Sequence, residues 1–195
     1  MFQKSVRSFF VLIVLLMLAG CAASIKQGIY RAPDFRSLAI NELVILPTVD
    51  LRIDKRIKVN LEKQIRGAAA KILKNKGYHV TVSDSLVDTE QFIDGDLRTA
   101  DAKWIKRLCP AGSRYIMVLC LVDVATKLTF GSTGNAELAG YMYDKKAGIV
   151  IWRDKGIGQT GSGGLVGMAM KAGMDEQAIS IALDNLLASI PERNR

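Results

Sequence analysis

A chain of 195 residues, 49% of them hydrophobic and 24% charged, suits one domain with a short extension and carries enough apolar material for a core. Lys and Arg outnumber Asp and Glu by 27 to 19, a formal charge of +8, but no basic run with interleaved aromatic residues accompanies the excess, so nucleic acid is not indicated as a partner. Solvated surface charge accounts for it.

The first predicted element is a targeting segment. Lys4 and Arg7 precede an unbroken apolar run from Phe9 to Leu18, and the small residues Ala19 and Gly20 stand before Cys21. As a helix that run spans about 15 Å, half of the roughly 30 Å hydrocarbon core, so it does not serve as a conventional membrane span. Leu18-Ala19-Gly20-Cys21 resembles a bacterial lipobox, which implies removal of residues 1–20, a diacylglycerol on the Cys21 thiol and acylation of the new amino group. One acyl chain binds a membrane only marginally, whereas two or three anchor durably. An ordinary export signal cut elsewhere, or an uncleaved amino-terminal anchor, is the competing reading. By resemblance to enterobacterial sorting, Ala22 in place of Asp after the cysteine implies the inner leaflet of the outer membrane, facing the periplasm. In a bacterium without an outer membrane the same signal implies the outer face of the cell membrane.

Residues 21–40 lack a sustained period and contain Gly28 and Pro33, so they read as a lipidated tether, with residues 41–195 as a single α/β domain. Leu43-Val44-Ile45-Leu46 before Pro47 is a short continuous apolar run, expected as a strand buried on both faces. From about Asp54, Ile57, Leu61, Ile65, Ala68, Ala69 and Ile72 recur at spacings of three and four with Gly77 at the stop position, which predicts an amphipathic helix. Tyr78–Val82 predicts a second strand, parallel to the first. Residues 83–98 are polar, and a second helix is expected from about Thr99, burying Trp104, Ile105 and Leu108 and ending at Pro110. Arg114–Thr129 reads as a long central strand. Asn135–Tyr143 and Ile149–Asp154 follow as a hairpin around Asp144-Lys145-Lys146-Ala147-Gly148. Gly156–Gly164 reads as a flexible loop. In the last predicted helix Ile179, Ala182, Leu183, Leu186, Leu187 and Ile190 form the apolar stripe, Asp175 and Glu176 lie in the first turn and Pro191 terminates. The expected fold is α/β, a mixed sheet with a βαβ start and an antiparallel meander, with helices packed on it.

In that order the residues resemble a known family. Lipobox, tether, the Leu43–Pro47 strand, a helix, Gly77-Tyr78-His79-Val80, Ser85-Leu86-Val87-Asp88, a long hydrophobic strand, Tyr143–Trp152, a Gly/Ser-rich stretch and a last helix are similar to bacterial lipoproteins known mostly as domains of unknown function. Their fold is similar to the amino-terminal domain of TolB, and related domains occur in CsgG, LpoB and PelC. The resemblance implies the fold, and it carries no catalytic signature. The long amphipathic insertions from which CsgG builds a barrel have no counterpart in this chain.

Chemistry is sparse. His79 is expected on a central strand, without the base, acid and nucleophile of a hydrolase triad or converging metal ligands. Gly156-x-Gly158-x-x-Gly161 matches a dinucleotide fingerprint only in letters, because it closes an antiparallel meander instead of opening a βαβ unit. Cys109 and Cys120 are expected unpaired, Cys120 as a small buried apolar residue. Asp50, Asp54, Asp94, Asp96 and Asp123 are given no role. Leu165, Val166, Met168, Met170 and Met174 are the candidate interface, since methionines and glycines suit an adaptable contact surface, with burial inside the domain as the other reading. The functional expectation is a non-catalytic envelope lipoprotein without cofactor or metal, anchored to the membrane at Cys21. It would bind protein partners or itself in secretion or surface-structure assembly. The alternative is a ligand-binding or enzymatic lipoprotein with a polar cleft at the sheet edge.

Overall fold

The computed structural model describes residues 29–84, 112–129, 131–163 and 173–193. Cys21, Asp94, Asp96, Cys109, the helix expected at 99–110 and residues 165–170 lie outside that set. Strand β2 (Glu42–Ile45) is the expected apolar run, buried on both faces and flanked by β4 (His79–Val82) and β5 (Tyr115–Thr129), both parallel to it. After Pro47 the chain resumes as β3 (Val49–Asp50), which pairs farther along β5, Val49 opposite Cys120.

Helix begins at Leu61, as a π-helical segment (Leu61–Gly67) that passes into α1 (Ala68–Asn75). The start expected at Asp54 is therefore too early, and local hydrogen bonds give the reason. The Asp54 carboxylate accepts from the Arg56 amide at 3.0 Å, closing a turn. Asn60 is the cap: its Oδ1 accepts from the Lys63 amide at 3.0 Å while Gln64 Oε1 accepts from the Asn60 amide at 2.9 Å. That reciprocal pair satisfies two donors a helix start leaves open. Gly77 ends the helix with φ of +89°, and a Cβ there would meet the Arg193 carbonyl oxygen at 2.7 Å.

Strands β5, β6 (Gly131–Asp144) and β7 (Ile149–Gly163) make the antiparallel meander. At its turn Asp144 accepts from the Lys146 and Ala147 amides at 2.9 and 3.1 Å. The stretch expected as a loop is, as far as Gly163, the second half of β7: Gly156, Gly158 and Gly161 pair with Leu138, Ala136 and Thr133. Gly156 and Gly158 are there because the backbone of α2 (Met174–Ala188) lies on them. A Cβ on Gly156 would meet Leu186 Cβ at 2.7 Å, one on Gly158 the Ala182 nitrogen at 2.5 Å, and one on Gly134 the Met174 carbonyl oxygen at 2.6 Å. The helix turns its predicted stripe, Ile179, Ala182, Leu183, Leu186 and Leu187, into the core.

The sheet runs β1-β7-β6-β5-β2-β4, with β3 beside β5. Its first strand, β1 (Tyr30–Arg31), corrects the tether boundary. Tyr30 lies opposite Arg153, the Ala32 amide donates to the Ile151 carbonyl at 2.9 Å, and Phe35 and Ile40 are buried. Arg193 closes the other end of the chain onto this segment, donating to the Leu38 carbonyl at 2.7 Å and stacking 5.3 Å from the Tyr78 ring, while its amide donates to Lys76 O at 2.8 Å. Residues 30–40 thus belong to the domain. Alternation along the strands divides the core between the two faces: Leu43, Ile45, Met117, Leu119, Met142 and Trp152 with the helices, and Val44, Leu46, Ile116, Val118, Cys120 and Tyr143 on the reverse. The fold is the mixed α/β class the sequence predicts.

Candidate functional site

At the carboxyl ends of β2 and β3 the chain enters the loop 51–60, and one buried side chain fixes that loop. Arg52, 5% exposed, donates from Nε and Nη2 to the two oxygens of Asp50 at 2.9 and 2.8 Å and from Nη1 to the Ile57 carbonyl at 2.8 Å. A fork with both tines on one carboxylate is held in one orientation, which defines the loop backbone. Ile53 beside it is fully exposed. Across from the loop, Asp123 stands on β5 where the pairing with β6 slips between Leu121 and Asp123, a bulge that re-aims the strand. The third wall is the start of α2, tied to the π-helical segment by Gln64 Nε2 donating to Glu176 Oε1 at 2.8 Å.

The three walls enclose an open cleft of about 480 Å³ lined by Asp54, Arg56, Ile57, Asp123, Thr126 and Asp175, among others. The side-chain hydrogen bond from Arg56, seconded by its amide, holds the Asp54 carboxyl down to about 2, so that group is a fixed negative charge and not a proton donor near neutral pH. The cleft offers carboxylate oxygens to cationic or hydrogen-bond-donating groups. Among the described residues no three His, Cys, Asp or Glu side chains are placed to hold a metal ion. Sequence separation hid this convergence, since Asp54, Asp123 and Asp175 lie on three different elements. The one local signal was Asp123, a charge interrupting an apolar strand.

A basic shelf of about 420 Å³ lies at the other end of β5, lined by Gly112, Ser113, Arg114, Lys145 and Lys146. Arg114 donates from Nη2 to the buried Asp144 at 2.7 Å and stacks 4.8 Å from the Tyr115 ring. Burial pushes the Asp144 carboxyl up, but Arg114 and the Ala147 and Lys146 amides more than offset this, leaving it below the usual 3.8. For Asp50 the hydrogen bond from Arg52 outweighs burial, and its carboxyl is lowered too.

These two depressed groups set an acid limit on the fold. Their contribution is complete above the unfolded carboxylate value of 3.8 and is lost as pH falls through the lower folded values. The melting temperature should therefore stay level from neutral pH down to about 4.5 and fall below about 4. Asp144→Asn should melt lower at pH 7 and show a shallower acid decline in a calorimetric pH series. An unchanged slope would remove Asp144 from this account.

The structure separates the residues singled out in the sequence. His79 is exposed on β4, an edge strand among the described residues and not the expected central one. Cys120 is a free thiol, fully buried on the reverse face, where burial pushes its pKa up to about 12. Neither is near the other or the cleft's acids in a nucleophile and base arrangement. Met174, expected at an interface, is 6% exposed, and its carbonyl packs against Gly134, so it belongs to the domain's own core. Leu165, Val166, Met168 and Met170 lie outside the described residues. The Gly156-x-Gly158-x-x-Gly161 run is β-strand, with Gly156 and Gly158 directly beneath α2, and cradles no phosphate.

No protein-family model matches the chain, and no curated protein matches it in sequence. A solved structure shares its fold. The PelC dodecamer from Paraburkholderia phytofirmans superposes with a TM-score of 0.53 at 13% identity, over 86% of this chain and 97% of that one. Lipoprotein GNA1162 from Neisseria meningitidis gives 0.41 at 16% identity over 62% and 83%, and the carboxy-terminal domain of LpoB from Salmonella enterica gives 0.37 at 11% over 62% and 84%. The PelC likeness is one of fold, and it agrees with the fold that the sequence resemblance implied.

Proposed function

We propose that the chain is an exported lipoprotein, acylated at Cys21, that acts without catalysis by assembling with copies of itself or with other proteins of the cell envelope. The observation that carries the assembly is the fold likeness to PelC, a dodecamer, across 97% of that chain. Support for the anchor comes from the lipobox, and Ala22 favours the periplasmic side of an outer membrane. Leu165, Val166, Met168 and Met170 remain the proposed contact residues, with Met174 withdrawn to the core. A role in secretion or surface-structure assembly is the biological setting proposed.

Two measurements on one protein test the reading. Cys21→Ser should abolish incorporation of labelled fatty acid and leave an unprocessed precursor; labelling that persists would remove the anchor. Native mass spectrometry of the acylated protein extracted in mild detergent should show multiples of the protomer, matched by crosslinks in cells. A monomer with no crosslinks would remove the assembly. The acidic cleft of Asp54, Asp123 and Asp175 favours a second reading, a ligand-binding lipoprotein whose ligand is cationic or rich in hydrogen-bond donors.

A further inference from the structure

We propose that the β1 edge of the sheet is the face on which the domain rests on its membrane, its partner being the anionic phospholipid headgroups of the leaflet that holds the anchor. This placement rests on the acylation of Cys21 proposed above and adds the orientation of the domain. Ile29 is the eighth residue after Cys21. An extended chain covers at most about 3.5 Å per residue, so Ile29 stays within about 28 Å of the acyl chains. From Tyr30 onward the path is fixed, by the pairing of β1 with β7, by buried Phe35 and by the Arg193 bond to Leu38 O. The tether therefore leaves the domain at one extreme of the strand order, and β4, at the other, lies five strand spacings away, about 24 Å. The leash leaves from this edge, so β1 stays within about 28 Å of the acyl chains while β4 can lie about 24 Å farther out, and the side chains of the edge decide which way the domain lies.

The side chains at this edge are those a headgroup layer accepts. Six large hydrophobic residues are exposed among the described ones; Ile29 at 53% and Tyr30 at 39% stand side by side at the tether exit, and Ile149 at 48% lies farther along the neighbouring strand, four positions from Arg153, the partner of Tyr30. Ile149 opens β7 two residues before Ile151, whose carbonyl accepts from Ala32. Single exposed apolar residues need no explanation, but an adjacent pair at the exit of a lipid tether, with a third along the same edge, does. Arg153 lies 5.5 Å from the Tyr30 ring, and Arg31 and Arg36 are exposed alongside, against two neighbouring acids, Asp34 and Asp154. A tyrosine with an apolar body and polar tip sits well at a membrane interface. Each arginine close to an anionic leaflet adds about fivefold to the docked population.

The test uses the mature acylated chain in vesicles of phosphatidylethanolamine with phosphatidylglycerol. In a Cys109→Ser background, a fluorophore is placed at Ile149→Cys or, on the far edge, at His79→Cys; buried Cys120 stays unlabelled. Nitroxide-headgroup lipid should quench the Ile149 label several-fold more than the His79 label. Adding Arg31→Glu and Arg153→Glu should abolish that excess, since losing two arginines at about fivefold each lowers the docked population at least about 25-fold. Tyr30→Ser, which changes no charge, should reduce it in part. Equal quenching at the two edges in an acylated protein would overturn the docked face while leaving the anchor standing, as would an excess insensitive to the charge reversals. Shielding of the Ile149 label in detergent as well as in vesicles would assign the edge to a protein neighbour and overturn it too. A chain without acyl groups at Cys21 would remove both the anchor and the face.

Discussion

Alanine at Gly158 is expected to lower the melting temperature by about 10 °C, although it adds a single methyl group to a strand. The Cβ would sit inside the carbonyl oxygen of Ala178 and 2.5 Å from the Ala182 nitrogen. Both obstacles are backbone atoms of α2, so no rotamer change relieves the clash. Either the helix lifts from the sheet or β7 bends away. Lifting loosens the contacts of Ile179, Ala182, Leu183 and Leu186, all buried at that seam. Overpacking of this kind costs about 3 kcal/mol, and for a chain of this size each kcal/mol shifts the midpoint by roughly 2–4 °C. Gly67→Ala is the control: this glycine has helical dihedrals, its nearest obstacle is the Glu62 carbonyl oxygen at 3.2 Å, and it should melt at or slightly above wild type. Equal melting of the Gly158→Ala protein and wild type would show that α2 does not lie on the glycine stripe.

Trp152→Ala should cost about 4 kcal/mol in urea unfolding, the range for removing a fully buried large aromatic. Among the described residues Trp152 is the largest side chain buried without residue of exposure, and its ring edge occupies the space a side chain on Gly140 would need, 2.9 Å from that Cβ. Its Nε1 donates to Ser189 Oγ at 3.0 Å, linking the start of β7 to the end of α2. Trp152→Phe keeps most of the apolar volume and loses the hydrogen bond, so it should fall between the two, closer to wild type. If alanine and phenylalanine were equally costly, the hydrogen bond and not the filled volume would be the determinant at this site.

Much of this architecture is readable in the residues. The stripe from Ile179 to Leu187 has one helical solution, and Leu43–Ile45 and Tyr115–Leu121 are apolar at every position because both faces of these strands are buried, one in the core beneath the helices and the other in the cluster on the reverse. What escapes sequence reading has one physical cause, a partner far away in the chain. Residues 156–163 resemble a loop because glycine normally marks one, yet at Gly156 and Gly158 it makes room for a helix backbone. Tyr30 and Phe35 carry no local period, and their structure comes from β7 and the carboxy terminus. The cleft is hidden for the same reason, its acids being brought together by a bulge, a loop and a helix start.

The Arg193 clasp also governs when this chain can finish folding. Its donors reach the Leu38 and Arg36 carbonyls 155 and 157 residues upstream, and α2, which covers the sheet, is the last helix to emerge. In a chain emerging amino terminus first, β2 meets its partner β4 soon after, but β1 must wait for β7. Contacts so distant in sequence delay folding until the loops between them close. The clasp forms only once Arg193 is present, so the segment 30–40 is fixed late.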